Sequence, residues 1–208
     1  MQIGLRFGTG SVLVKFQQVY YVLDPELRLI WVGGEWDEFA LSNSGSNAIA
    51  NAVLSTSLLG HISDEPTRRA TVQMIEAVQE VQAPLRIDYR CDSPSMLRRF
   101  LMTIQPMRDN RVLIVHDLRD ARTFDRPLGL WTFDPAAPDC KCSFCCAVSL
   151  DEGPYLPPET LGHLHPAEVR LTLCPACVAR IAETVLSLRE KRQPNIVASG
   201  SYGPEASE

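Results

Sequence analysis

With 208 residues, 45% of them hydrophobic and 22% charged, the chain has the length and apolar content for one domain of ordinary size plus a small appendage, and this excludes a disordered protein. A formal net charge of −5 and a pI near 5.4 argue against a broad phosphate-binding surface, so nucleic acid is not an expected partner. No basic segment leading into an apolar run opens the chain, and no apolar run approaches the length of about 18 residues that a membrane span needs, so a cytoplasmic protein without a membrane partner is expected.

Residues 1–16 form a glycine-punctuated leader. Its RFGTGS stretch lacks the lysine and the preceding strand of a phosphate loop. From Val19, VYYVLD is a β-rich run ended by Asp24-Pro25, and LRLIWVGG is a second strand ending in a glycine pair. EWDEFALSN sets Trp36, Phe39 and Ala40 at helical spacing, and Ser42 to Ser63, rich in serine, asparagine and small apolar residues, predicts short helical turns. Asp64 and Pro66 supply the cap and early proline of a longer helix. Its apolar stripe is Ala70, Met74, Ala77, Val78 and Val81, and Pro84 ends it.

Beyond Pro84 the period changes to two. LRIDYRC alternates Leu85, Ile87, Tyr89 and Cys91 against Arg86, Asp88 and Arg90; RRFLMTIQPM and RVLIVHDL follow as strands, joined by a hairpin turn at Asp109-Asn110. This order predicts an α+β domain over residues 17–120, one antiparallel sheet with helices on one face. Residues 121–139 read as a linker with an apolar patch at Leu128, Leu130 and Trp131, residues 140–192 as a cysteine module ending in a helix, and 193–208 as a flexible tail. Val178, Ile181, Val185 and Leu188 share one side of that last helix, which therefore needs a partner surface: the sheet domain of the same chain or a second subunit.

Two CxxC pairs carry the strongest chemical signal. Cys142/Cys145 lie in a turn-rich stretch suited to a knuckle whose amides point at sulfur. In CPAC, Pro175 at the first helical position puts Cys174 at the turn and Cys177 in the first helical turn. Four such thiolates make a structural Zn2+ site, although the gap from 146 to 173 exceeds the usual ribbon spacing of about 15 to 20. An iron–sulfur cluster takes the same four ligands, and a redox pair is the alternative for each CxxC. Cys140 or Cys146 in a shifted register, and His163 or His165, are further candidate ligands. Haem attachment is excluded because Cys146 and Val178, not histidine, follow the pairs. Seven cysteines, an odd number, fit metal thiolates in a reducing compartment better than a disulfide framework.

The first domain resembles a PAS sensory domain. YVLDPELRLIWVGGEWDEFA is similar to the PAS opening at Asp24, Ile30, Trp36 and Phe39, with Gly33 and Gly34 where many relatives carry asparagine or proline. VLIVHDLRDAR is similar to the last PAS strand at Asp117 and Leu118, with Arg119 in place of threonine. Cys142, Ser143, Cys145, Cys174, Pro175 and Cys177 resemble a CSxC…CPxC module of bacterial signalling proteins. Leu171-Thr172 stand where those relatives carry histidine-glycine, and Cys146 replaces a lysine.

The resemblance implies a cavity between sheet and helices holding haem, flavin or a small metabolite, or packed shut. Flavin photochemistry is not expected, since residues 42–63 contain no cysteine. His61 is the candidate haem ligand and otherwise a capping or solvated residue. His116, which shares strand parity with Val112 and Ile114, is expected as a satisfied sheet histidine, Cys91 as a small hydrophobe, and Trp31, Trp36, Tyr20 and Tyr21 as core. Asp24, Asp88, Asp92 and Asp117 form no acid–base pair, and no GxSxG, HExxH, P-loop or dinucleotide motif appears, so no catalytic residue is expected. The expectation is a non-enzymatic sensory protein with a structural Zn(Cys)4 site. Its expected partners are a small-molecule ligand in the PAS cavity, a signalling protein and a second copy of itself. The rivals are a redox or iron–sulfur sensor and a PAS-type dimerisation adaptor.

Overall fold

A computed structural model describes residues 18–43, 45–129, 131–162 and 168–191. The leader, the tail, Leu130, Arg192, His163 and His165 lie outside the described residues. Strand β1 (Gln18–Leu23) buries Val19, Tyr21 and Leu23 by simple alternation. The Asp24 carboxylate then accepts the N–H groups of Glu26 and Arg28, which reverses the chain into β2 (Leu29–Gly34), antiparallel to β1.

Gly33 and Gly34 have a local reason to be glycine. A Cβ on Gly33 would stand 2.4 Å from the Tyr20 ring, and Gly34 has φ +70 with the Gln18 carbonyl 2.3 Å from any added Cβ. Trp31, expected in the core, is 60% exposed, because β2 is an edge strand and this residue faces away from the helices.

Helix α1 (Trp36–Ser42), a turn at Ser46–Ala48, α2 (Ala50–Val53) and a turn at Leu58–His61 make up the broken helical middle. Helix α3 (Glu65–Val81) begins where Asp64 accepts the Thr67 N–H at 2.8 Å and ends at Gln82 in the left-handed conformation. Its buried face is Ala70, Met74, Ile75, Ala77 and Val78. Ile75 therefore joins the stripe, and Val81 is only half-buried.

Strands β3 (Leu85–Arg90), β4 (Met96–Pro106) and β5 (Val112–Thr123) complete an antiparallel sheet of order β2-β1-β5-β4-β3. Asp109 and Asn110 have φ of 58 and 57, the left-handed pair that lets a short turn follow the strand twist. Strand β5 runs five residues beyond Leu118. Its end is charged and carries no apolar alternation, but it pairs with Met96 through Arg99 past a bulge at Arg99/Phe100. Helix α3 and the helical middle cover one face of the sheet, as expected of this α+β fold.

Residues after β5 return along the sheet, with Phe124 and Leu128 donating N–H bonds to Ser95 and Pro94. The stretch expected as a linker supplies the end of β5, buried Phe124 and Ala137, and β6 (Thr132–Phe133). A second sheet has order β6-β9-β7-β8, from β7 (Cys140–Cys142), β8 (Val148–Ser149) and β9 (Glu168–Thr172). Helix α4 (Pro175–Glu190) leaves it and buries Cys177, Ile181, Val185 and Leu188 in the same core as Met74 and Val78 of α3 and Leu85 of β3. Its partner surface is thus in its own chain. Val178 is 50% exposed, because the buried row starts at Cys177 and runs in steps of four and three. Among the described residues no helix is long and apolar enough to cross a membrane.

Candidate functional site

The sulfurs of Cys142, Cys145, Cys174 and Cys177 all lie within 4.8 Å of one another, and Cys145 and Cys174 are 3.7 Å apart. A tetrahedral ion with sulfur at about 2.3 Å requires edges of about 3.8 Å, so the cage fits a single cation. Each half arrives by its own route. Cys142 ends β7 and the chain turns back at once, with the Cys146 N–H bonded to the Cys142 carbonyl and Cys146 left-handed at φ 63. Cys174 is the N-cap of α4, its sulfur accepting the Cys177 N–H at 3.4 Å, and Pro175 begins the helix. Parallel pairing of Cys142 with Thr172 brings the halves together.

The surroundings suit anionic sulfur. Cys142 Sγ accepts N–H bonds from Phe144 at 3.5 Å and Cys174 at 3.3 Å, and the Arg180 guanidinium lies 3.8 Å from Cys177 Sγ. Hydrogen bonds from Cys145 and Cys177 hold the Cys142 thiol far below its ordinary range. The same contacts push Cys145 up to about 12 and Cys177 higher still. Thiols this close hold back one another's ionisation, and a cation at the centre would relieve that repulsion. All seven cysteines are free thiols. Cys140 and Cys146 stand outside the cage: Cys140 Sγ points at the Pro138 carbonyl, and Cys146 Sγ at that of Arg90.

The knuckle is also part of the sheet domain. Phe144, between the first two cysteines, accepts the Arg90 N–H at 2.9 Å, and its ring packs on Tyr89 at 5.8 Å with the Arg180 guanidinium over it. Ser143 donates to Asp64, the cap of α3, at 2.8 Å, and Arg90 grips Glu159 with both terminal nitrogens. Phe144, Arg180 and Asp64 were not legible as site residues. Each acts through a tertiary contact rather than through a motif.

A second feature lies between the sheet and the helical middle, a cavity of about 350 Å3. Tyr21, Leu29, Tyr89, Phe100 and His116 form its sheet wall; Trp36, Phe39, Ala40, Ala48 and Val53 form its helical wall. His116 faces it from the row of Val112 and Ile114, the parity expected from the sequence, and that row is the inward face. Tyr89 Oη lies 2.8 Å from His116 Nδ1, and His116 Nε2 lies 3.5 Å from Tyr21 Oη. Burial lowers the His116 pKa to about 4 despite nearby Asp117, and burial raises both tyrosines. Cys91 also lines the cavity, and burial pushes its thiol up. His61 reaches it with Nε2 held 2.6 Å from Thr56 Oγ1, and Trp36 donates to the Ala48 carbonyl.

Compared with known proteins, the chain matches no family model and no curated protein.

Proposed function

We propose that this chain is a non-enzymatic sensory protein in which a PAS-like domain takes a small ligand in its cavity and a structural Zn(Cys)4 site braces the C-terminal half against it. The observation that carries this reading is the strand order β2-β1-β5-β4-β3 with the helical middle inserted between β2 and β3, enclosing about 350 Å3 against the inner face. That volume sits at the small end of ligand pockets, about 300 to 1,000 Å3.

Zinc is favoured by the donor set and by the size of the cage. Sulfurs all within 4.8 Å of one another surround one ion, whereas the thiolates of an iron–sulfur cluster sit on separate irons and stand further apart. Burial holds the His116 pKa at about 4 and raises both tyrosines, so the polar row in the cavity rests uncharged near neutral pH, which suits hydrogen bonding to a guest. Free thiols throughout the described residues fit a reducing compartment such as the cytoplasm.

Ligand binding would be read out at Tyr89, which lines the cavity on one side and carries Phe144 of the metal knuckle on the other. From Phe144 the route continues to α4, whose Arg180 guanidinium lies over the Phe144 ring. Elemental analysis of the purified protein tests the metal: one zinc per chain and no visible absorption are expected. Iron with a brown colour would replace this reading by the redox sensor.

The adaptor reading has one observation in its favour. The outer sheet face carries an open groove of about 520 Å3 across Tyr20, Leu101, Leu113 and Val115, with Arg86 and Arg119 at its margin. A second copy seated there would give a homodimer, which light scattering of the full chain distinguishes from a monomer.

A further inference from the structure

We infer that the cavity selects a small, uncharged aromatic molecule bearing one hydrogen-bonding oxygen, which engages the Tyr21 hydroxyl. This deepens the sensory reading above and rests on it. None of the side chains lining the cavity is Lys, Arg, Asp or Glu, and the buried Arg98 guanidinium is already engaged behind the wall with Asn43 Oδ1 and the Cys91 carbonyl. A charged ligand would therefore lose its hydration with no counter-charge inside the cavity. Five aromatic rings supply the wall in both orientations. Tyr21 meets Trp36 and Phe39 meets Phe100 edge to face, while Tyr89 stacks on Phe100 at 5.4 Å. A flat aromatic guest finds faces and edges to pack against.

The oxygen follows from counting protons. Tyr89, neutral His116 and Tyr21 carry three N–H or O–H protons between them, and two contacts join them, so one donor is always left over. The Tyr89 contact, at 2.8 Å, is a full hydrogen bond, whereas the Tyr21 contact, at 3.5 Å, lies at the outer limit. With Tyr89 donating to Nδ1 and His116 carrying its proton on Nε2, the donor left over is the Tyr21 hydroxyl. It is this end of the chain that a guest engages, the guest's hydroxyl or carbonyl oxygen accepting the spare proton. The other polar side chains reaching the cavity each have a protein partner: Trp36 Nε1 at Ala48, His61 Nε2 at Thr56, Asn43 at Phe39 and Arg98, and Cys91 Sγ at Arg98.

The test uses the metal-loaded full chain and isothermal titration with 2-naphthol, 2-naphthoate and 2-naphthylmethylammonium at neutral pH. The expected result is saturable binding of 2-naphthol, with both ions at least about tenfold weaker. Tyr21→Phe should weaken 2-naphthol by about 3- to 10-fold, and Ala48→Trp, which fills the cavity, should abolish its binding. Binding of either ion as tight as 2-naphthol, or 2-naphthol binding untouched by Ala48→Trp, would overturn the inference. The two readings come apart by mass spectrometry of the protein isolated from cells. A charged metabolite that Ala48→Trp displaces overturns the neutral aromatic class and leaves a sensing cavity standing. A cavity that takes neither the probes nor any cellular molecule overturns both.

Discussion

Strands β4 and β5 run 11 and 12 residues, whereas the strands of the second sheet run 2, 3, 2 and 5. The first sheet is held by apolar burial, with Leu23, Ile104, Val112 and Ile114 at most 1% exposed beneath α3. The second has too little backbone pairing to hold itself, and Cys146, Asp151 and Glu152 turn its chain with left-handed residues that favour no fold alone. Four clustered sulfurs and one face of α4 tie it into the core of α3 and β3. The difference teaches where each half is vulnerable: one to cavities, the other to changes in its cysteine quartet.

The largest effect should come from the proposed metal. Stripping it with a strong chelator, or replacing Cys177 with serine, should remove about 10 kcal/mol of coupled folding free energy from the C-terminal half. Hydrogen exchange should show β7, β9 and α4 losing protection while β4 and β5 keep theirs. Equal loss in both halves would erase the distinction. Leu23→Ala, beneath the first sheet, should instead cost about 2 to 5 kcal/mol in denaturant unfolding and leave the metal content per chain unchanged.

Acid sharpens the contrast from the cavity side. Folding holds the His116 pKa at about 4, below the ordinary 6.5, so the unfolded chain binds the extra proton first. The stability that comes from keeping this ring neutral is complete above pH 6.5 and is lost as pH falls towards 4, by at most about 3 kcal/mol. In His116→Gln that slope should flatten. At the seam between the halves, Asp64→Ala removes both the cap of α3 and the Ser143 contact and should cost about 1 to 2 kcal/mol. The exposed Arg189–Glu80 pair on the same seam should be worth under about 1 kcal/mol in a double-mutant cycle.

Local chemistry made much of this visible beforehand. Asp64, Pro66 and Pro84 mark α3 because caps and prolines act within a single turn, and Asp109-Asn110 marks its hairpin for the same reason. Spacing brought the four cysteines forward because both CxxC pairs are self-contained. The end of β5 was hidden because its pairing is backbone hydrogen bonding without an apolar row. Trp31 misled because hydrophobicity does not say which strand lies at an edge. Val178 misled because a shift of one residue around the helix carries it off the buried face.

By itself the sequence determined the elements of the first sheet and its helices, the last helix and the four clustered cysteines, since propensity, capping and CxxC geometry are properties of neighbours along the chain. Only the tertiary structure decided that Tyr21, Tyr89 and His116, from three strands, share one hydrogen-bonded row, and that Phe144 of the knuckle packs on Tyr89. Those contacts depend on strand order and on which face each strand turns inward, and both are settled by burying the whole core at once.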